Sequence, residues 1–510
     1  MTTPQLIGPH LMNLAVPHAG SLIQSVDWAA IAPPLIAAGT ALLVLLADLL
    51  LPESRKRLLG PLGVLGLAGA LLALLPLTGR TRSTFCLPDS GCSYTADHFA
   101  LAFQLLALGG ALIAALLSIA TVRDEELPAG EYWFLLLSSA AGAALLPAAR
   151  DLATLVVALE VVSLPSFALV ALKRDGRGGE AALKFFLSSV VATAVMLLGI
   201  SFLYAATGSL QLEAVARGLV GLPGQLKPLA EAGAMLALVG FAFKVAAVPF
   251  HFWVPDTYAG APVPVAGYLS VVGKASGFAG LALVTSLGLR PYGHTWGLLL
   301  AVLAAVTMTA GNTAALRQRA DSAQGAVRLL AWSSVAQAGY LLVPLAAAGY
   351  AGSPHPLGAT VAYALIYGLV NLGAFGVAAL VGRSRSANRL DDYRGLFARN
   401  RGAALALAFF LLCLAGLPPG VVGLFGKVVV FRAAVDAGLG WLAVVMAVNV
   451  VIALSYYLRW TALLFRPAED ARPERAPAAL TATLGLAAAG AVVLSVAPQL
   501  VLQVVSGSLF

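Results

Sequence analysis

Residues 232–252 read AGAMLALVGFAFKVAAVPFHF. The run is long enough to cross a hydrocarbon layer about 30 Å thick as a helix, yet it carries a charge, Lys244, near its middle. Pro249 follows five residues later and has no amide hydrogen for a helical ladder, so the helix is expected to unwind or kink beside the lysine. The same combination recurs. Residues 402–436 would extend about 52 Å as one helix, far beyond a bilayer. Their interior holds Gly416-Leu417-Pro418-Pro419-Gly420, with Lys427 shortly after. Paired prolines remove two backbone donors in succession, which predicts a discontinuous helix. A third apolar stretch, GYLSVVGKASGFAGL at 267–281, places Lys274 about 18 Å along its helix from Pro262, near mid-membrane.

The chain contains only 7 lysines against 24 arginines, yet it keeps lysine where a charge is most costly. A guanidinium stays protonated in a protein, whereas a lysine taken out of water can release its proton. The pattern reads as proton handling inside a membrane. Composition agrees: 60% hydrophobic residues, 11% charged residues and a mean hydropathy of +0.90 exclude an ordinary soluble globular protein. The net charge of +8 does not point to nucleic acid, because no basic patch is interleaved with aromatics and the basic residues fall in short loops.

The expected fold is an all-α polytopic membrane protein of about 14 transmembrane helices embedded in a lipid bilayer. The apolar segments lie near 28–51, 58–78, 97–120, 132–149, 152–172, 181–206, 232–252, 262–287, 296–316, 327–348, 358–381, 402–436, 440–465 and 479–502. The residues before Trp28 lack a basic n-region, so the first span is expected to be retained. Lys and Arg in alternate loops number 20 on one side and six on the other, with Lys184, Lys244, Lys274, Lys427 and Arg432 inside spans. The positive-inside rule then turns both termini outward. Each half carries one interrupted helix with a lysine beside it, which suggests two inverted five-helix repeats, 132–287 and 296–465. They would be flanked by an N-terminal three-helix region, 1–131, and a C-terminal transmembrane helix within 479–510.

Glu160, in LVVALEVVSLPSFALV, is the carboxylate deepest inside a span, about 13 Å along its helix from Asp151. It is expected to face the protein interior and a cation, with Lys244 as its partner, either as a static pair or as part of an ion pathway. Lys184 lies about one turn inside its span and is open to two readings, a relay or an interfacial snorkel. His251 could pass a proton between Lys244 and Lys274 or serve structurally. Ser333, Ser334, Gln337 and Tyr340 supply polar groups that could hold water between the halves or satisfy backbone. Cys86 and Cys92 share the short loop CLPDSGC, placed outside by the charge count, and are expected to form a disulfide with a stapling role. Cys413 is alone in an apolar span and reads as a small buried hydrophobe.

The continuous stretch from Phe243 to Val265, FKVAAVPFHFWVPDTYAGAPVPV, closely resembles the N-type membrane subunit of proton-pumping NADH-quinone oxidoreductase, respiratory complex I. The resemblance continues through the Glu160 helix, VGKASGF around Lys274, SSVAQAGY from Ser333 to Tyr340, DDYRGL from Asp391 to Leu396, and GLPPGVVGLFGK ending at Lys427. It implies a fourteen-helix fold with inverted repeats, two discontinuous helices and a line of charged residues in the membrane plane. By position, Glu160, Lys244, Lys274 and Lys427 correspond to the family's proton-channel residues. It also implies other membrane subunits as partners, the inner membrane of a bacterial cell as location, and NADH, FMN, iron-sulfur clusters and quinone in partner subunits, with no cofactor bound by this chain. The chain itself has no glycine-rich dinucleotide fingerprint in a strand-helix context and no cysteine cluster for iron-sulfur ligation.

One departure stands out. Where the family commonly has histidine in its SS-x-x-H-x-GY run, this chain has Gln337, which does not protonate near neutral pH. A relay there would depend on water or on Tyr340. Two other functions share parts of the pattern: a subunit of a multisubunit sodium/proton antiporter, and a passive membrane scaffold.

Overall fold

Aspartates mark where helices begin. Asp27, Asp97, Asp151 and Asp175 each stand just before an apolar run and accept hydrogen bonds from first-turn amides, satisfying donors that a helix start leaves unpaired. They open α1 (Trp28–Leu50), α3 (His98–Asp124), α5 (Leu152–Ala171) and α6 (Gly176–Thr207), while α2 (Leu59–Leu72) and α4 (Ala129–Leu145) begin without a side-chain cap. The computed structural model describes residues 25–87, 91–350, 355–467, 476–506 and 509–510. The reading of residues 1–24, and the basic residues Arg472 and Arg475, lie outside these.

The short helix α7 (Leu212–Val220) buries Leu212, Val215, Ala216 and Leu219 and exposes Glu213 and Arg217, the spacing of a one-faced helix. Next comes an interrupted crossing, α8 (Lys227–Lys244) and α9 (Trp253–Gly260). A single crossing then combines α10 (Val263–Tyr268) and α11 (Lys274–Leu283), with π-helical turns at Leu269–Gly273 and Val284–Gly288. After it come α12 (Gly293–Leu316), α13 (Gly325–Ala348), α14 (His355–Ser384) and the one-turn α15 (Leu396–Arg399). A second interrupted crossing, α16 (Arg401–Ala415) and α17 (Val421–Asp436), precedes α18 (Gly440–Leu464), α19 (Ala478–Val496) and the short α20 (Gln499–Ser506).

Among the described residues, 12 unbroken helices are long and apolar enough to span a membrane. The two interrupted crossings bring the total to the fourteen that hydropathy predicts. Helices α13 and α14 form the centre and are buried over nearly all of their apolar length, whereas α18 and α19 are buried over a third or less and present the rest outward.

Both expected breaks occur. Helix α8 stops at Lys244, Ala246 takes a left-handed φ of 61°, and helix resumes at Trp253. An alanine held there costs roughly 1–2 kcal/mol, and surrounding bonds hold the break: Trp253 Nε1 donates to the Phe243 carbonyl at 3.2 Å and the Val248 amide to Thr307 Oγ1 at 2.9 Å. The crossing runs on to Gly260, beyond the hydropathic boundary at Phe252, because α9 carries Asp256 and Thr257 and is too polar to score as membrane. The second break turns at Gly416, φ 83°. Peptides Val248-Pro249 and Pro418-Pro419, one in each break, are cis.

One element escaped the all-helical reading. Strands β1 (Arg82–Leu87) and β2 (Gly91–Ala96) form an antiparallel hairpin with Cys86 opposite Cys92, joined by a disulfide. Arg82 pairs with Asp27 at 3.0 Å and the Arg150 amide donates to the Ser93 carbonyl at 2.9 Å, so the hairpin is fastened to α1 and to the start of α5. The Asp97 carboxyl, buried at the foot of β2 beside Arg150, is pushed above its ordinary range by burial, against the opposing pull of that guanidinium.

Glycine is obligatory at the second break. A Cβ on Gly423 would stand 1.7 Å from the Cys413 carbonyl oxygen, so α17 packs on α16 backbone to backbone. Gly423→Ala is expected to push the half-helices apart at a cost of about 1–3 kcal/mol, read as reduced thermal stability and less assembled protein in membranes. Wild-type stability would show that the contact is slack.

Candidate functional site

Glu160 and Ser163 lie on one face of α5, three residues apart, and Ser189 and Thr193 lie one turn apart on α6. Between them enters Lys244, the last residue of α8. Its Nζ donates to Ser163 Oγ and Ser189 Oγ, both at 2.9 Å, and to Glu160 Oε1 at 3.4 Å. The Glu160 oxygen also accepts from Thr193 Oγ1 at 2.8 Å. The ion pair is thus the longest of the lysine's three bonds, and its carboxylate is held independently by a hydroxyl. Gly277 on α11 lets the next helix approach: a Cβ there would lie 3.0 Å from the Lys244 backbone carbon.

Lys274, buried on α11, follows directly on the π-helical turn 269–273, a rare geometry that re-aims side chains. Its Nζ donates to the Ser334 carbonyl at 2.7 Å and to Ser334 Oγ, both on α13. Tyr367 of α14 donates to the same Oγ at 3.0 Å and lies 3.3 Å from the Ser270 carbonyl, while Asn371 Nδ2 reaches Ser270 Oγ at 2.7 Å. Among the described residues no carboxylate pairs with Lys274.

Helix α13 carries the line onward. Ser333, Ser334, Gln337 and Tyr340 are buried along it. Gln337 Oε1 accepts from Tyr363 OH at 2.5 Å, its Nε2 donates to Tyr457 OH at 3.3 Å, and Tyr457 OH lies 2.5 Å from Ser333 Oγ. Lys427, buried on α17, donates to the Leu414 and Ala415 carbonyls at 2.9 and 2.7 Å, acceptors that the end of α16 leaves unpaired. Its Nζ also stands 5.6 Å from the centre of the Tyr340 ring, a cation–π distance. One helix therefore touches Lys274 through Ser334 and Lys427 through Tyr340.

Among the described residues, Lys184 and His251 make no hydrogen bond to the lysines of this line. Lys184 is half exposed and bound to Glu180 at 2.7 Å and Asp256 at 2.9 Å, and Asp256 also holds Arg328 at 2.9 Å. His251 sits in the first break with its ring 5.4 Å from that of Trp332. Its Nδ1 is buried without a partner, and among the described residues it bonds to neither lysine. Residues that the sequence reading passed over include Ser163, Ser189, Thr193, Tyr363, Tyr367 and Tyr457. A usable signal was present, since each is a hydroxyl inside an apolar helix at turn spacing from another polar residue.

A family profile described as NADH:quinone oxidoreductase/Mrp antiporter, TM, matches residues 149–453, more than half of the chain and all four of Glu160, Lys244, Lys274 and Lys427. The NADH-quinone oxidoreductase subunit N 2 of Streptomyces griseus is 63% identical, covering 98% of this chain and 97% of that protein. The subunit N of Salinispora tropica is 46% identical over 88% of this chain and 87% of that one. A chain of respiratory complex I from Thermus thermophilus superposes with a TM-score of 0.76 at 33% identity, covering 93% of this chain and 100% of that chain. The chain belongs to this family.

Within the NADH:quinone oxidoreductase/Mrp antiporter family fold, the glutamine at 337 is well integrated, with its donor and acceptor ends both used. Gln337→Leu is expected to strand Tyr363 OH and lose a Tyr457 contact, costing about 1–3 kcal/mol, whereas Gln337→His keeps one donor and one acceptor. Thermal stability of the assembled protein should fall for the leucine variant and hold for the histidine variant. Equal losses would mean that side-chain shape, and not hydrogen bonding, matters here.

Proposed function

We propose that this chain is the proton-translocating membrane subunit of an NADH-quinone oxidoreductase, moving protons along Glu160, Lys244, Lys274 and Lys427. The observation that carries the reading is the near full-length similarity to subunit N proteins, together with the buried line that α13 continues between Lys274 and Lys427. The chain works with other membrane subunits in a multisubunit complex. Electron transfer through NADH, FMN, iron-sulfur clusters and quinone belongs to those partners. The basic loops face the cytoplasm of a bacterial cell and both termini face outward. The repeats comprise 132–287 and 296–465.

In the proposed cycle, a change in neighbouring subunits draws the Glu160 carboxylate away from Lys244. The ammonium loses its counter-charge and gives its proton to water. The proton reaches Lys274, then crosses by water and the hydroxyls of Tyr367, Tyr363 and Tyr457 to Lys427, from which it leaves outward. Glutamine at 337 orients the hydroxyls of Tyr363 and Tyr457 without titrating. Moving one charge against the membrane potential requires about 2.3 kcal/mol per 100 mV, so the energy comes from the partners' redox reaction. The family description also names Mrp antiporters, which leaves a sodium/proton antiporter subunit as the second reading. Sodium-independent pumping by the purified complex separates the two.

Two variants test the path in reconstituted vesicles, with pumping driven by NADH oxidation. Glu160→Gln keeps the shape and removes the charge. The complex should assemble while pumping falls by about ten-fold or more, the scale of losing a positioned proton carrier. Near-normal pumping would count against the pair as a working element.

Lys427→Arg keeps a fixed positive charge. If Lys427 must release its proton, the arginine variant fails nearly as badly as Lys427→Ala while still assembling. Strong pumping by the arginine variant would leave Lys427 a structural counter-charge only.

A further inference from the structure

At the end of α12 and the C-terminal turns of α18 lies a groove of about 660 Å³. Its floor includes the buried Leu329, Leu390, Tyr456 and Trp460, and its rim carries the exposed Arg459 and Arg466. Neither guanidinium makes an ion pair or hydrogen bond among the described residues. By contrast Arg319, just beyond the end of α12, is bound to Asp321 at 2.9 Å. Among the described residues Asp391 is the one carboxylate lining the groove, set against two arginines. Trp460 is 2% exposed, and its Nε1 has no hydrogen-bond acceptor among the described residues. A buried N–H donor without an acceptor is costly, and this one belongs to a side chain lining the groove.

We propose that this groove binds an anionic phospholipid, with its phosphate between Arg459, Arg466 and the Trp460 N–H. A phosphate takes charge-assisted bonds from guanidinium groups and one more from an indole. A lipid, rather than free phosphate, follows from what leads away from the groove. Leu458, Val451, Val448 and Val444 are 43%, 64%, 55% and 65% exposed along one face of α18, an apolar stripe running from the groove toward the membrane interior. That stripe matches the acyl chain of a molecule whose headgroup sits at the basic end.

The test uses the intact complex in phosphatidylcholine vesicles containing a little photoactivatable phosphatidylglycerol, with crosslinks mapped by mass spectrometry. Labelling is expected within residues 455–466. Unlabelled phosphatidylglycerol should compete, and added phosphatidylcholine and inorganic phosphate should not. Labelling should fall by about ten-fold or more in Arg459→Gln/Arg466→Gln, since each basic residue near a membrane surface contributes appreciably to anionic lipid binding. Equal competition by phosphatidylcholine would reduce the groove to an apolar surface, and competition by phosphate would make it an ion site. Background labelling of the wild type, as a partner segment filling the groove would give, overturns the proposal, as does undiminished labelling of the double variant. The competition arms need no variant, so they decide the matter even if the double variant does not assemble.

Discussion

An ammonium at membrane depth must find its acceptors on the protein, because hydrocarbon supplies none. Much of the interior is arranged around that demand. Lys244 is met by α5 and α6, Lys274 by α13, and Lys427 by the end of α16. In every case the acceptors belong to an element other than the lysine's own. Burying the charge therefore also joins helices.

The breaks in the two interrupted crossings serve this arrangement in different ways. In the first, the lysine is the final residue before the break and side-chain oxygens of neighbouring helices surround it. In the second, the lysine lies beyond the break and turns back onto the carbonyls that the break exposes. Irregular backbone inside a membrane is tolerable where protein encloses it. Here Thr307, Trp253 and the glycines against Cys413 provide that enclosure.

Hydropathy made all fourteen crossings legible, because a span must be apolar over its whole length. The breaks were legible too, since Pro249 and Pro418-Pro419 cannot continue a helical ladder. Helix α9 was hidden by its own polarity, and the hairpin at 82–96 by lying among loop residues with a weak alternating pattern. For the candidate site, the titratable residues announced themselves as charges in apolar runs. Their acceptors were legible only faintly, as hydroxyls at turn spacing from other polar residues, because serine, threonine and tyrosine are ordinary residues in membrane helices and packing decides that Ser163, Ser189 and Tyr363 meet the line. His251 and Lys184 show the converse: proximity in sequence to the breaks and lysines gave neither a hydrogen bond to the lysines among the described residues.

The number of N–H groups each lysine uses differs along the line. An ammonium has three and a neutral amine two. Lys427 spends two, both on carbonyls at the end of α16, so losing a proton need not disturb either bond. Lys274 also spends two, on a single serine. Lys244 spends all three, on Ser163, Ser189 and Glu160. Deprotonation there must break one of the three bonds or reverse one to a serine hydroxyl, and the longest bond is the one to the carboxylate. The occupancy of Lys244 is thereby registered by its surroundings as a change of geometry, whereas at the far lysine a proton can come and go without the helix end taking notice.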